Sequence, residues 1–108
     1  MEDNPSTKNA ESLFERNPVI DVFGKGGNLR ILIILIDAAG APLSVADITN
    51  QANVSRQTFY DNRETLLKYN LIEEADKIGN TQRYKVDMTS DPIQALMQLY
   101  DTMIDIEP

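Results

Sequence analysis

Residues 44–72 constrain the fold more than any other part of the chain, because they predict two helices joined by a very short turn. Ser44 is a favourable N-cap for the first helix, in which apolar residues recur at helical spacing. Asn53 tolerates the left-handed backbone conformation that ends many helices. Ser55 can then cap a second helix over residues 56–69. The stretch therefore predicts a helix-turn-helix.

The second helix, taken with its cap as residues 55–69, is predicted to present a polar outer face. Phe59 and Leu66 mark its buried side, whereas Arg56 and Gln57 begin the outer side. Hydrogen-bonding side chains in the first two turns are what base edges and phosphates require. An ordinary helical hairpin with a solvated polar face would show the same pattern, so the hairpin alone leaves both interpretations open.

A β-hairpin is predicted directly after the helix pair. Residues 78–81 form the turn, and Tyr84, Val86 and Met88 alternate with polar residues as in a half-buried strand. After a helix-turn-helix, a hairpin with basic and polar groups near its tip favours a wing that contacts the DNA backbone or minor groove. We predict this wing over residues 76–84, and a hairpin that only aids solubility is the alternative.

The segment before the helix pair is predicted to supply a tail and the centre of the core. Residues 1–10 are polar and are expected to form a flexible tail. Pro18 can begin a short helix that ends at Gly24 and whose apolar residues should be buried. Asn28 is expected to cap a central helix over residues 29–39.

The central helix is apolar nearly all round, as is typical of a helix at the middle of a small domain. Its predicted buried stripe consists of Leu29, Leu32, Ile33 and Ile36, and Gly40 is expected to end it. Its other large apolar residues would then need a second partner, either the N-terminal segment or another subunit: Ile31, Ile34 and Leu35.

A long amphipathic helix is predicted at the C-terminal end. Ser90 is a capping residue and Pro92 suits a first turn, so the helix should begin there and run to about residue 106. One apolar stripe extends over more than three turns and consists of Ile93, Leu96, Met97, Tyr100, Met103 and Ile104. Because a chain of 108 residues has little core left for this stripe to cover, we expect a dimerisation helix over residues 91–108. Packing within the chain is the alternative.

Composition restricts the class of function. The chain has no cysteine and no histidine, so it has no disulfides, thiolate chemistry, cysteine or histidine zinc site, or imidazole catalysis. The first ten residues do not read as a signal sequence, and no apolar run approaches the length of a membrane span. We therefore predict a cytoplasmic protein of one domain that is not an enzyme and holds no metal or cofactor.

Charge is distributed unevenly along the chain, whose formal net charge is −7. Residues 1–24 carry −3 and residues 87–108 carry −5, residues 25–52 are neutral, and residues 53–86 carry +1. Phosphate contacts need cations, and the segment with net positive charge is the one that contains the second helix and the hairpin. The acidic remainder is typical of a salt-adapted cytoplasm.

Three stretches resemble the winged helix-turn-helix transcription regulators of prokaryotes. GGNLRILIILIDAAGAPLSVADI is similar to the opening of ArsR-like and MarR-like regulators, VSRQTFYDNRETLLKYNLI to their recognition helix, and IGNTQRYKV to their wing. The resemblance covers residues 27–88. It implies a mainly α fold with a small β-hairpin wing. We expect residues 11–90 to form the DNA-binding domain and the C-terminal helix to be an addition for dimerisation. From the acidic composition we also expect the protein to come from an archaeon, and more narrowly from a haloarchaeon.

The resemblance also implies a function and a set of contact residues. The chain would act as a homodimeric, sequence-specific DNA-binding transcription regulator, most simply a repressor. Metal-sensing members of the family use cysteine or histidine, so a metal-sensing role is not expected. The implied contacts are Ser55, Arg56, Gln57, Thr58, Tyr60 and Arg63 in the major groove or on flanking phosphates, and Lys77, Asn80, Thr81 and Arg83 on the wing.

Two features of the sequence leave an alternative function open. Asp61 and Glu64 lie on or near the recognition face and would repel phosphate unless they pair with arginine or accept from a cytosine amine. The chain is also acidic overall. The alternative is a winged-helix module that binds protein partners without specific DNA binding.

Overall fold

Five helices and three short strands make up the part of the chain that the computed structural model describes, residues 13–107. In chain order they are α1 Pro18–Phe23, α2 Asn28–Asp37, β1 Leu43–Ser44, α3 Val45–Ala52, α4 Arg56–Lys68, β2 Glu73–Ile78, β3 Thr81–Lys85 and α5 Asp91–Ile106. The predicted fold class, mainly helical with a small β-hairpin and an added C-terminal helix, is confirmed. The predicted flexible tail, residues 1–10, lies outside the described residues.

Helices α3 and α4 form the predicted helix-turn-helix, and local hydrogen bonds explain where they begin and end. The Ser44 hydroxyl accepts from the backbone N–H of Asp47 at 3.1 Å, and the Ser55 hydroxyl accepts from that of Thr58 at 3.0 Å. These bonds satisfy N–H groups that have no partner within their own helix. Between the helices, Asn53 has a φ of 57°, the left-handed conformation that ends α3.

The sheet contains the predicted hairpin and one further strand that the sequence did not reveal. β2 and β3 pair antiparallel, and β1 pairs with the other edge of β3, which gives the order β1-β3-β2. The β2–β3 ladder is irregular between Glu74 and Lys77, as at a β-bulge, where a strand can bend. β1 has only two residues, too few to show alternation, and it forms because β3 supplies its partners.

The core lies between α2, the helix-turn-helix and the inner face of the sheet. The largest fully buried side chains are Phe59, Ile31, Leu32, Leu35, Ile48, Leu66, Ile72, Ile93, Val86 and Asn28. Phe59 and Leu66 come from α4, as predicted, and the Phe59 ring packs edge-on against Tyr84 of β3 with 5.1 Å between ring centroids. This packing fixes the rotation of α4 and turns its polar face outward.

Helix α2 buries a different face from the predicted one. Ile31 and Leu35, which were expected to need another partner, are fully buried, whereas Leu29 and Ile33 are 45% and 50% exposed. Because this helix is apolar nearly all round, its periodicity cannot show which side the helix-turn-helix will cover. The prediction of that stripe was wrong at Leu29 and Ile33, and these side chains instead form an apolar surface.

The prediction that Asn28 caps α2 was also wrong. Gly27 is the N-cap, with a φ of 94°, and Asn28 lies within the helix and is fully buried. Its Nδ2 donates to the carbonyl of Val22 at 2.7 Å. Asn28 therefore joins the end of α1 to the start of α2 rather than capping its own helix.

Helix α1 begins at Pro18 and ends before Gly24, as predicted, but it buries less than expected. Val22 is its one buried residue. A helix of six residues presents one narrow face to its neighbours, so its other large apolar side chains stay exposed: Val19, Ile20 and Phe23.

Helix α5 begins at the predicted cap, where the Ser90 hydroxyl accepts from the backbone N–H of Ile93 at 3.4 Å. Ile93 is fully buried in the core of its own chain, and Leu96 and Met97 are partly buried against that core. From residue 98 to residue 106 every residue is exposed. Within residues 13–107, no helix has the length and apolar character needed to cross a membrane.

Candidate nucleic-acid interface

An open cleft of about 710 Å³ separates α4 from the hairpin of β2 and β3. It is bordered by the start of α3, one side of α4 and both strands of the hairpin. Six of the predicted contact residues line it: Arg56, Tyr60, Arg63, Lys77, Asn80 and Thr81. The structure thus brings the main helix and hairpin candidates to one surface, which we call the α4–wing cleft. The other four predicted contacts, Ser55, Gln57, Thr58 and Arg83, do not line it.

Arg56 and Tyr60 lie one turn apart on the helix side of the cleft. Tyr60 is 52% exposed, and Arg56 is exposed and forms no ion pair with another residue of the described range 13–107. Next to them, Gln57 donates from Nε2 to the Asp61 carboxylate at 2.6 Å. This face therefore offers a guanidinium and a phenol to a ligand, and the neighbouring Gln57 amide is hydrogen-bonded to the Asp61 carboxylate.

Ser55 and Thr58, two of the predicted contacts, are used to start α4. The Ser55 hydroxyl accepts from the Thr58 backbone N–H and lies 2.9 Å from the Thr58 hydroxyl. Thr58 is also half-buried. These residues set the position of the first turn of α4, on which Arg56 and Gln57 are carried.

The tip of the hairpin carries three exposed polar residues, Lys77, Asn80 and Thr81. Lys77 forms no ion pair with any residue in the described part of the chain. Beneath the tip, Gln82 donates from Nε2 to the backbone carbonyl of Ala75 at 2.8 Å. Gln82 was not among the predicted contacts, and its bond supports the irregular part of β2 from which the tip extends.

Arg63 lies two helical turns after Arg56 and is directed at the hairpin. Its Nε donates to the hydroxyl of Tyr84 on β3, and its Nη2 donates to the carboxylate of Glu74 on β2. The hydrogen bond with Tyr84 is the largest cause of a raised pKa at Arg63, so the guanidinium stays charged. The family resemblance placed Arg63 among the DNA contacts. The sequence could not show its pairing, because its partners are 11 and 21 residues away in the chain.

Arg83 is half-buried and does not line the α4–wing cleft. It forms an ion pair with Asp76, 2.8 Å from Nη2 to Oδ1. The hydrogen bond from Arg83 holds the pKa of the Asp76 carboxyl below its usual value. The alternation of β3 could not reveal this pair, because it depends on the bulge in β2 and on the register of the two strands.

The charge of the α4–wing cleft is opposite to that of the whole chain. Its lining residues include three cations, Arg56, Arg63 and Lys77, and one carboxylate, Glu74. The chain as a whole has a formal charge of −7. The cleft is therefore a local positive site on an acidic protein, which is the electrostatic condition for binding a phosphate backbone.

A second, apolar surface lies between α2 and α5. This α2–α5 groove has a volume of about 410 Å³ and is lined by Leu29, Ile33, Ile36, Asp37, Leu96, Met97, Leu99, Tyr100, Asp101 and Met103. Four of the six predicted dimerisation residues lie in it. Of the other two, Ile104 is exposed outside the groove, and Ile93 is buried in the core of the chain. Leu99, which the predicted stripe omitted, also belongs to this surface.

No protein-family model matches this chain, and no curated protein matches it. Solved structures do resemble it. The homodimeric winged helix-turn-helix DNA-binding domain Mb0332 from Mycobacterium bovis, described as a possible ArsR-family transcriptional regulator, superposes with a TM-score of 0.60 at 18% identity. The match covers 96% of this chain and 88% of that one.

Two repressors give similar superpositions. The antimony-specific transcriptional repressor AntR has a TM-score of 0.59 at 18% identity, covering 95% of this chain and 83% of its own. The transcriptional repressor BigR from Xylella fastidiosa has a TM-score of 0.58 at 14% identity, covering 97% and 98%. Similarity at this level of identity establishes the fold, and the chain is a winged helix-turn-helix with an additional C-terminal helix.

Proposed function

We propose that this chain is a homodimeric, sequence-specific DNA-binding transcription regulator that acts most simply as a repressor. The observation that carries the proposal is the α4–wing cleft. On an otherwise acidic protein, it gathers Arg56 and Lys77 with the hydrogen-bonding side chains of Tyr60, Asn80 and Thr81. Cations gathered on one surface repel one another, and an anionic ligand such as the DNA backbone would offset that repulsion.

The proposed contacts divide between the two sides of the cleft. α4 would enter the major groove, which is wide enough to admit a helix, with Arg56, Gln57 and Tyr60 facing base edges or flanking phosphates. The hairpin tip, with Lys77, Asn80 and Thr81, would lie on the backbone or in the adjacent minor groove. Phosphate contacts would set the position of the protein and base contacts would set its preference for sequence.

The homodimer is proposed on the α2–α5 groove. Most exposed residues of this groove and its continuation are large and apolar, including Leu29, Ile33, Leu99, Tyr100 and Met103. The groove lining also contains the exposed carboxylates Asp37 and Asp101. A contiguous apolar surface of this kind is typical of an interaction site. A two-fold dimer would bind inverted half-sites about 34–36 Å apart, one helical turn of DNA, or a multiple of that distance.

The similar structures support the class of function. Mb0332 is a homodimeric DNA-binding domain, and AntR and BigR are transcriptional repressors. Repression by occlusion of a promoter would need only the DNA-binding surface and the dimer.

Fluorescence anisotropy tests the proposal directly. The protein is titrated into a labelled duplex from the region upstream of its own gene, and into a shuffled duplex, over a series of KCl concentrations. We expect tighter binding to the natural duplex. Kd should rise with salt, because binding releases counterions from the DNA phosphates and this release is less favourable at high salt. Arg56→Ala should weaken this binding by ~1–3 kcal/mol, and Lys77→Ala should lower the slope of log Kd against log [salt] by about one.

Lys68→Ala is the matched control. Lys68 is an exposed cation at the other end of α4, outside the cleft, with its Nζ over the Tyr69 ring. Its loss removes the same charge as the loss of Arg56 and should leave the preference between duplexes unchanged. Equal binding to both duplexes, lost at modest salt, would contradict the proposal and favour the winged-helix module that binds protein.

A further inference from the structure

One guanidinium, that of Arg63, connects the proposed recognition helix to both strands of the wing. Its Nε donates to the Tyr84 hydroxyl on β3 and its Nη2 to the Glu74 carboxylate on β2. Glu74 and Tyr84 are directly opposite each other in the β2–β3 ladder. Two separate N–H donors of one rigid, planar group therefore hold two facing residues at the base of the wing.

The Tyr84 end of this connection is firmly placed. Tyr84 is 2% exposed, and its ring packs against Phe59 of α4, which is fully buried. The guanidinium of Arg63 also lies 5.5 Å from the centroid of the Tyr84 ring. Within the described residues, Arg63 supplies the hydrogen bond of the Tyr84 hydroxyl. If Arg63 left, a hydroxyl in a mostly buried position would lose its partner, which carries a free-energy cost.

The position of the connection along the wing is also informative. The regular pairing of β2 with β3 is interrupted between Glu74 and Lys77, and strands bend at such irregularities. The Glu74–Tyr84 pair is the last regular pair before this interruption. The contacts made by Arg63 therefore hold the wing at the point from which its tip, with Lys77 and Asn80, extends.

We propose that Arg63 is a positioning residue that sets the distance and angle between the recognition helix and the wing tip, rather than a ligand of DNA phosphate. This inference rests on the proposed DNA-binding function and refines it. Its consequence is that Arg63 controls how tightly and how selectively the wing engages DNA, although the side chain itself makes no contact with the duplex. The tip then meets the DNA at one preferred spacing from α4.

Tyr84→Phe is the cleanest test, because it removes one buried hydroxyl and changes no charge. If Arg63 positions the wing, the variant should bind the natural duplex about 3- to 10-fold more weakly, in keeping with the loss of one hydrogen bond. The slope of log Kd against log [salt] should be unchanged. If Arg63 binds phosphate, Tyr84→Phe should leave binding unchanged or tighten it, since it frees the guanidinium; that result would overturn the proposal.

Arg63→Lys provides a second test of the positioning role. Lysine keeps the positive charge for a phosphate but lacks the fork of donors that reaches Tyr84 and Glu74 together. We expect Arg63→Lys to weaken DNA binding as much as Arg63→Ala, with neither variant reducing the salt slope. Retention of binding by Arg63→Lys, or a slope lowered by about one in Arg63→Ala, would identify Arg63 as a phosphate ligand.

A measurement without DNA separates failure of this inference from failure of the proposed function. Amide hydrogen exchange of residues 77–82 reports how firmly the wing tip is held in the free protein. Exchange in this segment should accelerate in Tyr84→Phe and Arg63→Ala, while that of α2 stays as in the wild type. If the wild-type protein bound no DNA, the proposed function would fail. Unchanged wing exchange in both variants would instead refute the positioning role.

Discussion

Arg83 and Asp76 form a bidentate ion pair across the two strands of the wing. Nη2 of Arg83 lies 2.8 Å from Oδ1 and 2.9 Å from Oδ2 of Asp76, and Nε lies 3.1 Å from Oδ1. The Asp76 side chain is 60% exposed, and exposed ion pairs contribute little to stability. We therefore expect Arg83 to exchange this carboxylate for a phosphate more readily than Arg63 would, because the partner of Arg63, Tyr84, is buried.

This contrast gives the first prediction, for Asp76→Asn. Removal of the carboxylate should release Arg83, so DNA affinity should rise about 3- to 10-fold and the salt slope should steepen by about one. Anisotropy titrations over a KCl series measure both quantities. The control is Asp91→Asn, which removes the same charge from the start of α5, away from the cleft. An equal gain in DNA affinity in this control would mean that the net charge alone causes the effect.

The close approach of Gly27 to the helix-turn-helix gives a second prediction. Gly27 has a φ of +94°, and a Cβ at this position would lie 3.0 Å from Cγ2 of Thr58 and 3.1 Å from Cγ1 of Val54. Gly27→Ala should lower the free energy of unfolding by about 2–4 kcal/mol, from backbone strain and overpacking together. Urea denaturation measures this change.

Gly26→Ala is the control for the preceding variant, because it changes the neighbouring glycine of the same turn. A Cβ on Gly26 has no atom within 4 Å, so its free energy of unfolding should stay within about 1 kcal/mol of the wild type. Equal losses in the two variants would mean that turn flexibility, rather than contact with Thr58 and Val54, sets the requirement for glycine.

The buried amide of Asn28 gives a third prediction. Its Nδ2 donates to the Val22 carbonyl, and its Oδ1 has no hydrogen-bond partner within the described residues. Asn28→Asp would replace that donor with a buried carboxylate next to a carbonyl oxygen. The free energy of unfolding at neutral pH should fall by about 2–4 kcal/mol.

The pH dependence of this loss follows from its cause. Burial raises the pKa of the introduced carboxyl in the folded state, so the destabilisation should be complete at neutral pH. It should shrink as the pH falls and the carboxyl becomes protonated. Asn50→Asp, on an exposed position of α3, should show almost no loss, and a matching loss there would contradict the assignment to Asn28.

The α2–α5 groove gives a fourth prediction. Tyr100 and Met103 are 61% and 60% exposed in the single chain, and in the proposed dimer they would be buried. The double variant Tyr100→Ala, Met103→Ala should weaken dimerisation by ~2–4 kcal/mol, measured by analytical ultracentrifugation. Gln98→Ala changes another exposed residue of α5 outside the groove and should leave dimerisation unchanged. A wild-type protein that stays monomeric at high concentration would refute the dimer.

The charge of α5 gives a fifth prediction, which concerns salt. The helix and its C-cap carry the carboxylates Asp91, Asp101, Asp105 and Glu107 and no cation. Two copies joined through the α2–α5 groove would bring these carboxylates closer together, and salt screens their repulsion. Dimer affinity should therefore rise with KCl while DNA affinity falls. Ultracentrifugation from about 0.05 to about 1 M KCl would show whether dimer affinity rises or falls with salt. A dimer that weakens with salt would contradict the prediction, because it would require cations at the interface.

Local sequence signals determined much of the secondary structure. The caps Ser44, Ser55 and Ser90 and the left-handed Asn53 act through hydrogen bonds and backbone preferences within a few residues of themselves. For this reason the starts of α3, α4 and α5 and the position of the turn could be read directly from the chain. The alternation of Tyr84, Val86 and Met88 likewise predicted the hairpin, because it depends only on the burial of every second side chain, although β3 itself ends at Lys85.

The candidate site was predictable in position but not in its internal pairing. Arg56, Tyr60 and Lys77 do line the cleft with their predicted neighbours. The partners of Arg63 are 11 and 21 residues away in sequence, on two different strands. An outward-facing arginine looks the same in sequence whether it is free to bind phosphate or held by a tyrosine and a glutamate from another element.

What the sequence by itself determined is therefore the order of the elements, the helix-turn-helix and the hairpin, since each follows from neighbours along the chain. Tertiary structure alone decided which side of α2 is buried, the pairing of β1 with β3, the burial of Asn28 against Val22, and the connection from Arg63 to the wing. In each of these cases the energy comes from contacts between distant segments. An apolar helix or an exposed cation can satisfy several such arrangements equally well, and only the packed chain selects one.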